Sequence, residues 1–269
     1  MTQQWEFTAL EFMVLCDHYH RGSLPRPFWF ETEESMPSDE LERRKHSTWE
    51  QLQRRLDGSF DGVVEVLRTP ELYVLVHTWD DKDIANIEKH LWLHAARAGA
   101  LGYVLRQPSG KLTFDSPMVT ITECHPRELV VEVVRALPNV EAGRLPDIPI
   151  VLDPAERDEP SWGASYVQDD LEDRPVYQSQ QFFQRPADCA GRISVVQGRS
   201  KFGPRGIQET TLMWRDVNED GRYMWSSGDK PVAVGTSRRQ LAERLQRETE
   251  HLMDRLETHW EWGRPEDRY

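Results

Sequence analysis

The sequence predicts an α+β protein: a central antiparallel sheet built from two halves related by a pseudo-two-fold axis, with helices flanking it. Three observations predict this. Short runs rich in β-branched and aromatic residues alternate with turn signals. Capping boxes mark helix starts near both ends of the chain. An aromatic hairpin pattern occurs twice, as "LGYVLRQPSGKLTF" at 101–114 and as "LMWRDVNEDGRYMW" at 212–225.

Taken in order, Thr8 and Glu11 have capping-box spacing, and Phe7 and Phe12 stand at the two positions of a hydrophobic staple. A helix follows, expected to run to about Tyr19 and stop at Gly22. "LPRPFWF" reads as extended, because each proline biases its predecessor away from helix. Ser38, followed by Asp39 and Glu40, opens a second helix that puts Leu41, Trp49, Leu52 and Leu56 on one face. "LYVLVHTW" at 72–79 is a strand and "DDKDIAN" a polar connection. "IEKHLWLHAARAG" fits either period; Gly99 and the neighbouring strands favour a strand. "LGYVLRQ", a "PSG" turn, "KLTF" and "MVTIT" then continue a meander. "HPRELVVEVVRALP" is a helix with Pro126 at its first position and a buried stripe of Leu129, Val130, Val133, Val134 and Leu137.

The second half repeats the order. "RISVVQG", "GIQETTLMWRDV", "RYMWS" and "PVAVG" are strands, and "NEDG" is a turn. Ser237 and Gln240 form a capping box for the last helix, whose Leu241, Leu245, Leu252 and Leu256 share a side. Leu101, Gly110 and Phe114 recur as Leu212, Gly221 and Trp225 at an offset of 111, and Leu129 recurs as Leu241 at 112. Any two meander–helix units look partly alike, but this shared register favours a duplicated unit. Between the halves, residues 153–175 carry eight acids against two arginines among Pro, Gly and Ser, the composition of a connection. The end, "HWEWGRPEDRY", reads as a polar tail.

Composition excludes several classes of function. No apolar run is long enough for a membrane span, and the acidic, base-poor N-terminus argues against a signal peptide. A net charge of −13 opposes nucleic acid and anionic membranes. Ten Trp, nine Phe and seven Tyr separate the chain from acidic disordered sequences. Cys16, Cys124 and Cys189 have no zinc or CxxC spacing and read as buried thiols in a reducing cytoplasm.

Catalytic chemistry is not apparent. His90 and His94 have the spacing of a zinc pair if helical, without a following glutamate or third ligand, and read as surface or interface histidines. "DDKD" at 80–83 has the carboxylates of a divalent-ion site but reads as a solvated connection. "GRSKFGPRG" at 198–206 combines glycines and cations, as a phosphate loop or a hairpin loop does, without Walker or GxGxxG spacing. There is no GxSxG, and no catalytic residue, metal ligand or cofactor is assigned. What remains is a surface. Trp79 and Ile84 bracket a charged loop as an interface anchor would, although Trp79 suits a core position equally well.

In ordered agreement, "FTALEFMVLCDHYHRGSLPRPF", the charged second helix, "LYVLV", "VTITECHPRELVVEVVRALP", "RISVVQGRSKFGPRG" and the hairpin "WRDVNEDGRYMW" resemble the EspG family of ESX (type VII) secretion-associated proteins of actinobacteria. The hairpin is the most specific part, similar to the family's D-x-D-x-GRY. The resemblance runs to about residue 258. It implies a single domain over 1–269 and agrees with the halves of about 1–152 and 176–258 read above, whereas the acidic connection 153–175 and the Trp-bearing tail 259–269 depart from the family's pattern. It also implies a C-terminal helical bundle and a cytoplasmic, non-enzymatic chaperone that binds a cognate PE–PPE-like or other helical ESX substrate and covers its hydrophobic tip. The family's contact regions map onto the loop Trp79, Asp80, Asp81, Lys82, Asp83, Ile84 and Asn86, and onto the last helix with Leu245, Leu252 and Leu256. On that mapping Trp79 and Ile84 are apolar anchors, and Asp80, Asp81 and Asp83 select cargo of opposite charge. A self-associating structural component, homodimeric when free, and a small anionic-ligand protein using the 198–206 loop are the alternatives.

Overall fold

The computed structural model describes residues 3–19, 22–30, 36–110, 113–151, 173–228 and 230–261. Most of the acidic connection and the tail from residue 262 lie outside these. Ten strands form one sheet: β1 (Gln4–Thr8), β2 (Leu72–Trp79), β3 (Leu91–Ala98), β4 (Leu101–Gln107), β5 (Pro117–Cys124), β6 (Ile148–Pro149), β7 (Ala187–Gln197), β8 (Glu209–Val217), β9 (Gly221–Ser226) and β10 (Val232–Gly235). Among the described residues six α-helices accompany it: α1 (Ala9–Tyr19), α2 (Ser38–Arg55), α3 (Asp61–Arg68), α4 (Leu129–Arg135), α5 (Asp173–Gln184) and α6 (Arg238–Glu261).

The strand order is β1-β5-β4-β3-β2-β7-β8-β9-β10-β6, and the named strands pair antiparallel throughout. It is symmetric about the β2–β7 seam, where Leu72↔Gln197 through Trp79↔Ala190 pair. Each side has a four-strand meander, an outer strand and a following helix, so the two-fold plan read from the sequence is the plan of the sheet. Its register differs, however. The offset of 111 lays β4 over β8, whereas the sheet makes β3 the counterpart of β8 and β4 that of β9. Of the expected strand "KLTF", Lys111 and Leu112 lie outside the described residues, and Thr113 and Phe114 are not in a strand. Beyond Gln107 the chain leaves the sheet to serve the start of α1: Ala9 N–H donates to Ser116 O at 3.0 Å and Leu10 N–H to Phe114 O at 2.9 Å. Those first-turn N–H groups have no partner inside the helix, so the connection satisfies them. The crossing to the far edge at β6 also comes before residue 153, ahead of the acidic segment.

The capping boxes form as the spacing predicts. Glu11 N–H donates to Thr8 Oγ1 at 3.3 Å while Thr8 N–H donates to Glu11 Oε2 at 2.9 Å. Ser237 N–H donates to Gln240 Oε1 at 2.8 Å, and Gln240 N–H returns to Ser237 Oγ at 3.3 Å. Gly22, at φ 77°, closes α1 by donating to Cys16 O at 3.0 Å. Ser38 is helical rather than a cap; Pro37 occupies that position without a side-chain bond. Sequence reading passes over β1 and α3, which are short and lie beside stronger signals. Phe7 of β1 and Val63 and Val66 of α3 are nevertheless fully buried.

Strand alternation decides which helices lie on which face. Trp92, Ala96, Tyr103, Leu105, Val119 and Ile121 pack on one face with residues of α1, α2 and α3. On that same face α5 inserts Phe182 against Val217, Tyr223 and Trp225. The opposite face, with Val74, Val76, Leu93, Ala95, Ile193 and Val195, carries α4 and α6. Arg238 ties these two helices together by donating to the carbonyls of Val134, Arg135 and Leu137 at 3.2, 3.0 and 3.4 Å.

The β8–β9 hairpin is a structural clamp. Arg222 meets Asp216 in a fork, Nε–Oδ1 2.6 Å and Nη2–Oδ2 2.8 Å, and Nη2 also donates to Pro138 O at 3.2 Å. The Tyr223 hydroxyl donates to Asp220 Oδ2 at 2.6 Å and accepts Leu145 N–H at 2.8 Å. Burial alone raises the Asp220 carboxyl, but the Tyr223 hydroxyl and the Arg144 backbone and guanidinium outweigh it and hold it below the usual carboxylate range. Asp216, Asp220, Arg222 and Tyr223 of "DVNEDGRY" therefore fasten the strap 138–145 to the sheet.

Candidate partner-docking site

Between β2 and β3, residues 80–90 form a loop whose polar side chains mostly serve the loop itself. Asp80 is buried; it accepts Lys82 N–H at 3.1 Å and pairs with Lys89 Nζ at 2.9 Å. The Lys89 ammonium first, then the Lys82 N–H, hold its carboxyl below the ordinary range. Asp81 reaches across the seam to the buried Arg215 of β8, with Nε–Oδ1 at 2.9 Å and Nη2–Oδ2 at 2.6 Å. Arg215 also donates to the carbonyls of Phe182, Phe183 and Arg185 at 2.5, 3.1 and 2.7 Å, so one guanidinium locks the loop to the end of α5. Lys82 lies 3.4 Å from Asp188. Asp83 caps a turn, its Oδ1 accepting Ala85 N–H at 3.1 Å and its carbonyl accepting Asn86 N–H at 3.0 Å. Held in this way, the loop presents Ile84 at 66% exposure.

Two histidines fasten the loop from below. His90 Nε2 is 2.9 Å from Ile84 O, and His90 Nδ1 is 3.1 Å from His77 Nε2. A carbonyl only accepts, so His90 carries its proton on Nε2 and His77 donates to Nδ1. Burial, then His90 and Arg192, push His77 down to about 4, which keeps it neutral. His94 serves the 24–30 segment instead. It is buried on β3, with Nδ1 2.6 Å from Arg26 O, and Tyr73 stacks on its ring. Both histidines, read as surface or interface residues, are buried: His90 at the end of the loop, in the floor of the open trough beside it, and His94 on β3 beneath the 24–30 segment. Trp79 is half-buried, its ring 5.3 Å from that of His77.

Beside the loop lies an open trough of about 440 Å³ over the β2–β7 seam, on the face shared by α1–α3 and α5. Trp29, Trp92, Leu75 and Ile87 line it, with the histidine pair in its floor. Its charges are Arg26, Arg192 and Glu209. Gln107, buried in the core, fixes the Trp29 wall by accepting Trp29 N–H at 3.1 Å and donating to Trp29 O.

Against this geometry, a model of the EspG family matches residues 8–247. The chain belongs to the EspG family. Its fold is similar to that of EspG5, the type VII secretion system chaperone of Mycobacterium tuberculosis solved in complex with a PE25–PPE41 dimer. That match has a TM-score of 0.51 and 9% identity, covering 89% of this chain and 93% of that one. No curated protein matches at the level of sequence.

In this EspG-family protein the last helix places Leu245, Leu252 and Leu256 in the interior, on the face opposite the trough for the first two. A stripe at helical spacing is satisfied by whatever covers it, and here the sheet does so; a partner reaching α6 meets its polar side. Of the loop residues, Ile84 is exposed, Trp79 and Asn86 are half-buried, and Asp80 and Asp81 are engaged internally. The 198–206 segment is the hairpin loop between β7 and β8, with Phe202 at 63% exposure. Among the described residues no group of three or more His, Cys, Asp or Glu could hold a metal, and no helix is long and apolar enough to cross a membrane. Burial pushes all three thiols up to about 12, so none is a thiolate nucleophile at neutral pH.

The trough and the Arg215 lock escape sequence reading because both join residues more than a hundred positions apart. One signal existed. Arg192 opens the apolar run "RISVVQ", and a cation within a strand has to face water or a partner.

Proposed function

We propose that this EspG-family protein is a cytoplasmic chaperone of a type VII (ESX) secretion system. It binds a helical PE–PPE substrate without turnover and covers an apolar tip of that substrate. The observation that carries the reading is the pairing of a locked loop, with Ile84 exposed at its crest, and an aromatic-walled trough beside it. Family membership and the fold shared with EspG5 support the class of partner. Physically, a helical hairpin with apolar residues at its tip is aggregation-prone when free, and a concave apolar surface of this size takes such a tip out of water. The internal ion pairs add to this. A loop already ordered loses little further freedom on binding, so more of the contact energy appears as affinity.

The test is co-expression with PE–PPE pairs, followed by size exclusion and mass determination. A defined complex of the chain with one pair, lost in Ile84→Asp while the variant stays folded, is the expected result. A folded chain that forms no complex with any pair, or only self-associates, overturns the reading.

A further inference from the structure

The trough has a charge character opposite to that of the molecule. The chain carries a net charge of −13, yet the trough holds two guanidiniums, Arg26 and Arg192, against one carboxylate, Glu209. Arg192 stands at the centre of the seam, opposite His77 in the β2–β7 register and therefore on the same face. It is exposed and makes no hydrogen bond or ion pair among the described residues. Among the described residues Arg26 donates to the Tyr73 hydroxyl alone, at 3.3 Å, while its own carbonyl is held by His94. The acids nearby are otherwise occupied. Asp80 belongs to Lys89, Asp81 to Arg215, and Asp83 to its own turn. Glu209 is exposed on the other wall and accepts from Thr211 Oγ1 at 3.4 Å. His77, neutral between these groups, adds no charge at physiological pH.

We infer that Arg26 and Arg192 are a donor pair that receives a carboxylate side chain carried beside the apolar tip of the helical cargo; this rests on the chaperone reading above. A guanidinium presents a planar fork of donors that matches a carboxylate in two bonds, and aromatic and aliphatic walls around it accept the neighbouring apolar side chains. The alternative anions fit less well. A polyanion such as nucleic acid meets the field of the whole acidic molecule, whereas a single carboxylate seated between Trp29, Trp92 and the arginines is governed by its immediate neighbours. The pair also reverses the charge preference suggested by the "DDKD" sequence: this chaperone selects cargo with an acidic tip and rejects a basic one.

The experiment uses a PE–PPE dimer that co-purifies with the wild-type chain, with affinity measured at about 100 and 400 mM NaCl for the wild type, Arg192→Glu, Arg26→Glu and Arg192→Lys. Each charge reversal is expected to weaken binding about tenfold or more and to remove most of the salt dependence. Arg192→Lys keeps the charge but loses the fork, and is expected to fall between wild type and Arg192→Glu. Reversing an acidic residue at the cargo tip to Lys should restore binding to Arg192→Glu specifically. Unchanged thermal unfolding of the variants shows that the exposed sites are not structural. Should wild type and both reversals bind within twofold of one another, the carboxylate assignment fails and the chaperone reading stands. Should no PE–PPE dimer bind the wild type, both fail.

Discussion

The loops 80–90 and 198–208 occupy equivalent places on the two sides of the sheet, each joining the seam strand to its neighbour through eleven residues. They are fastened by different physics. The first contains no glycine and is held by side-chain chemistry: Asp81 reaches into the other half to Arg215, Asp80 pairs with Lys89 inside the loop, and the two histidines lie beneath. The second is held by close backbone approach. Gly198 N–H donates to Glu71 O at 2.8 Å, and Gly203 takes φ 69° in a turn closed by Ser200. In a duplicated plan this contrast separates architecture from function. A loop fastened by glycine and backbone gives a reproducible turn, whereas one fastened through charged side chains can change its crest without disturbing the sheet. The second kind lies beside the trough.

The comparison breaks most severely at Arg215. Arg215→Met removes five donated bonds and leaves the Asp81 carboxylate and the end of α5 without a partner, so it should cost about 3–5 kcal/mol in urea unfolding. The corresponding change in the other loop, Arg205→Met at an exposed site, should cost no more than about 0.5 kcal/mol. Equal losses would mean that the loops are not fastened differently. Next in size is Gly198→Ala. A Cβ there would overlap the carbonyl oxygen of Pro70, and backbone cannot yield cheaply, so about 1–3 kcal/mol is expected, with cargo affinity unaltered in the folded fraction. Full stability in Gly198→Ala would show that the second loop does not depend on close approach.

The same contrast explains what the sequence discloses. Capping boxes, turn glycines and the 72–79 strand are local patterns and were legible. So was the duplication, because aromatic and glycine punctuation survives in both halves. Its register was not, since a turn glycine with an aromatic four residues later fits any tight turn, and Phe114 serves the unsatisfied N–H groups of α1 a hundred residues away rather than a strand. Within the site, Ile84 was legible as an apolar residue in a charged loop. The fate of the acids was not. Nothing local distinguishes the exposed Asp83 from Asp81, whose partner sits 134 residues further on. The leucines of α6 gave their spacing correctly, but spacing identifies a buried stripe without naming what buries it.

The histidine fastening is found only on the first side and gives that side a pH signature. His77 has a folded pKa of about 4 against an ordinary 6.5. The unfolded chain therefore takes up the proton first as pH falls. The stabilisation from the neutral pair is complete above pH 6.5 and is lost progressively as the pH descends toward about 4. In His77→Gln, which can still donate to His90 Nδ1, the decline over this window should be shallower than in wild type, measured as the urea midpoint at successive pH values. Identical slopes would remove His77 from the fastening.

The smallest effects on stability, and the sharpest on function, belong to the two crests. Ile84 and Phe202 are 66% and 63% exposed, so Ile84→Ala and Phe202→Ala should each shift unfolding by less than about 0.5 kcal/mol. Affinity for a bound PE–PPE dimer should then divide them. Ile84→Ala should lose about 1–2 kcal/mol, the range for truncating an apolar anchor at the centre of an interface, and Phe202→Ala nothing measurable. If Phe202→Ala weakens binding instead, the docking site lies on the glycine-fastened side, and the charged lock at Arg215 is a feature of folding alone.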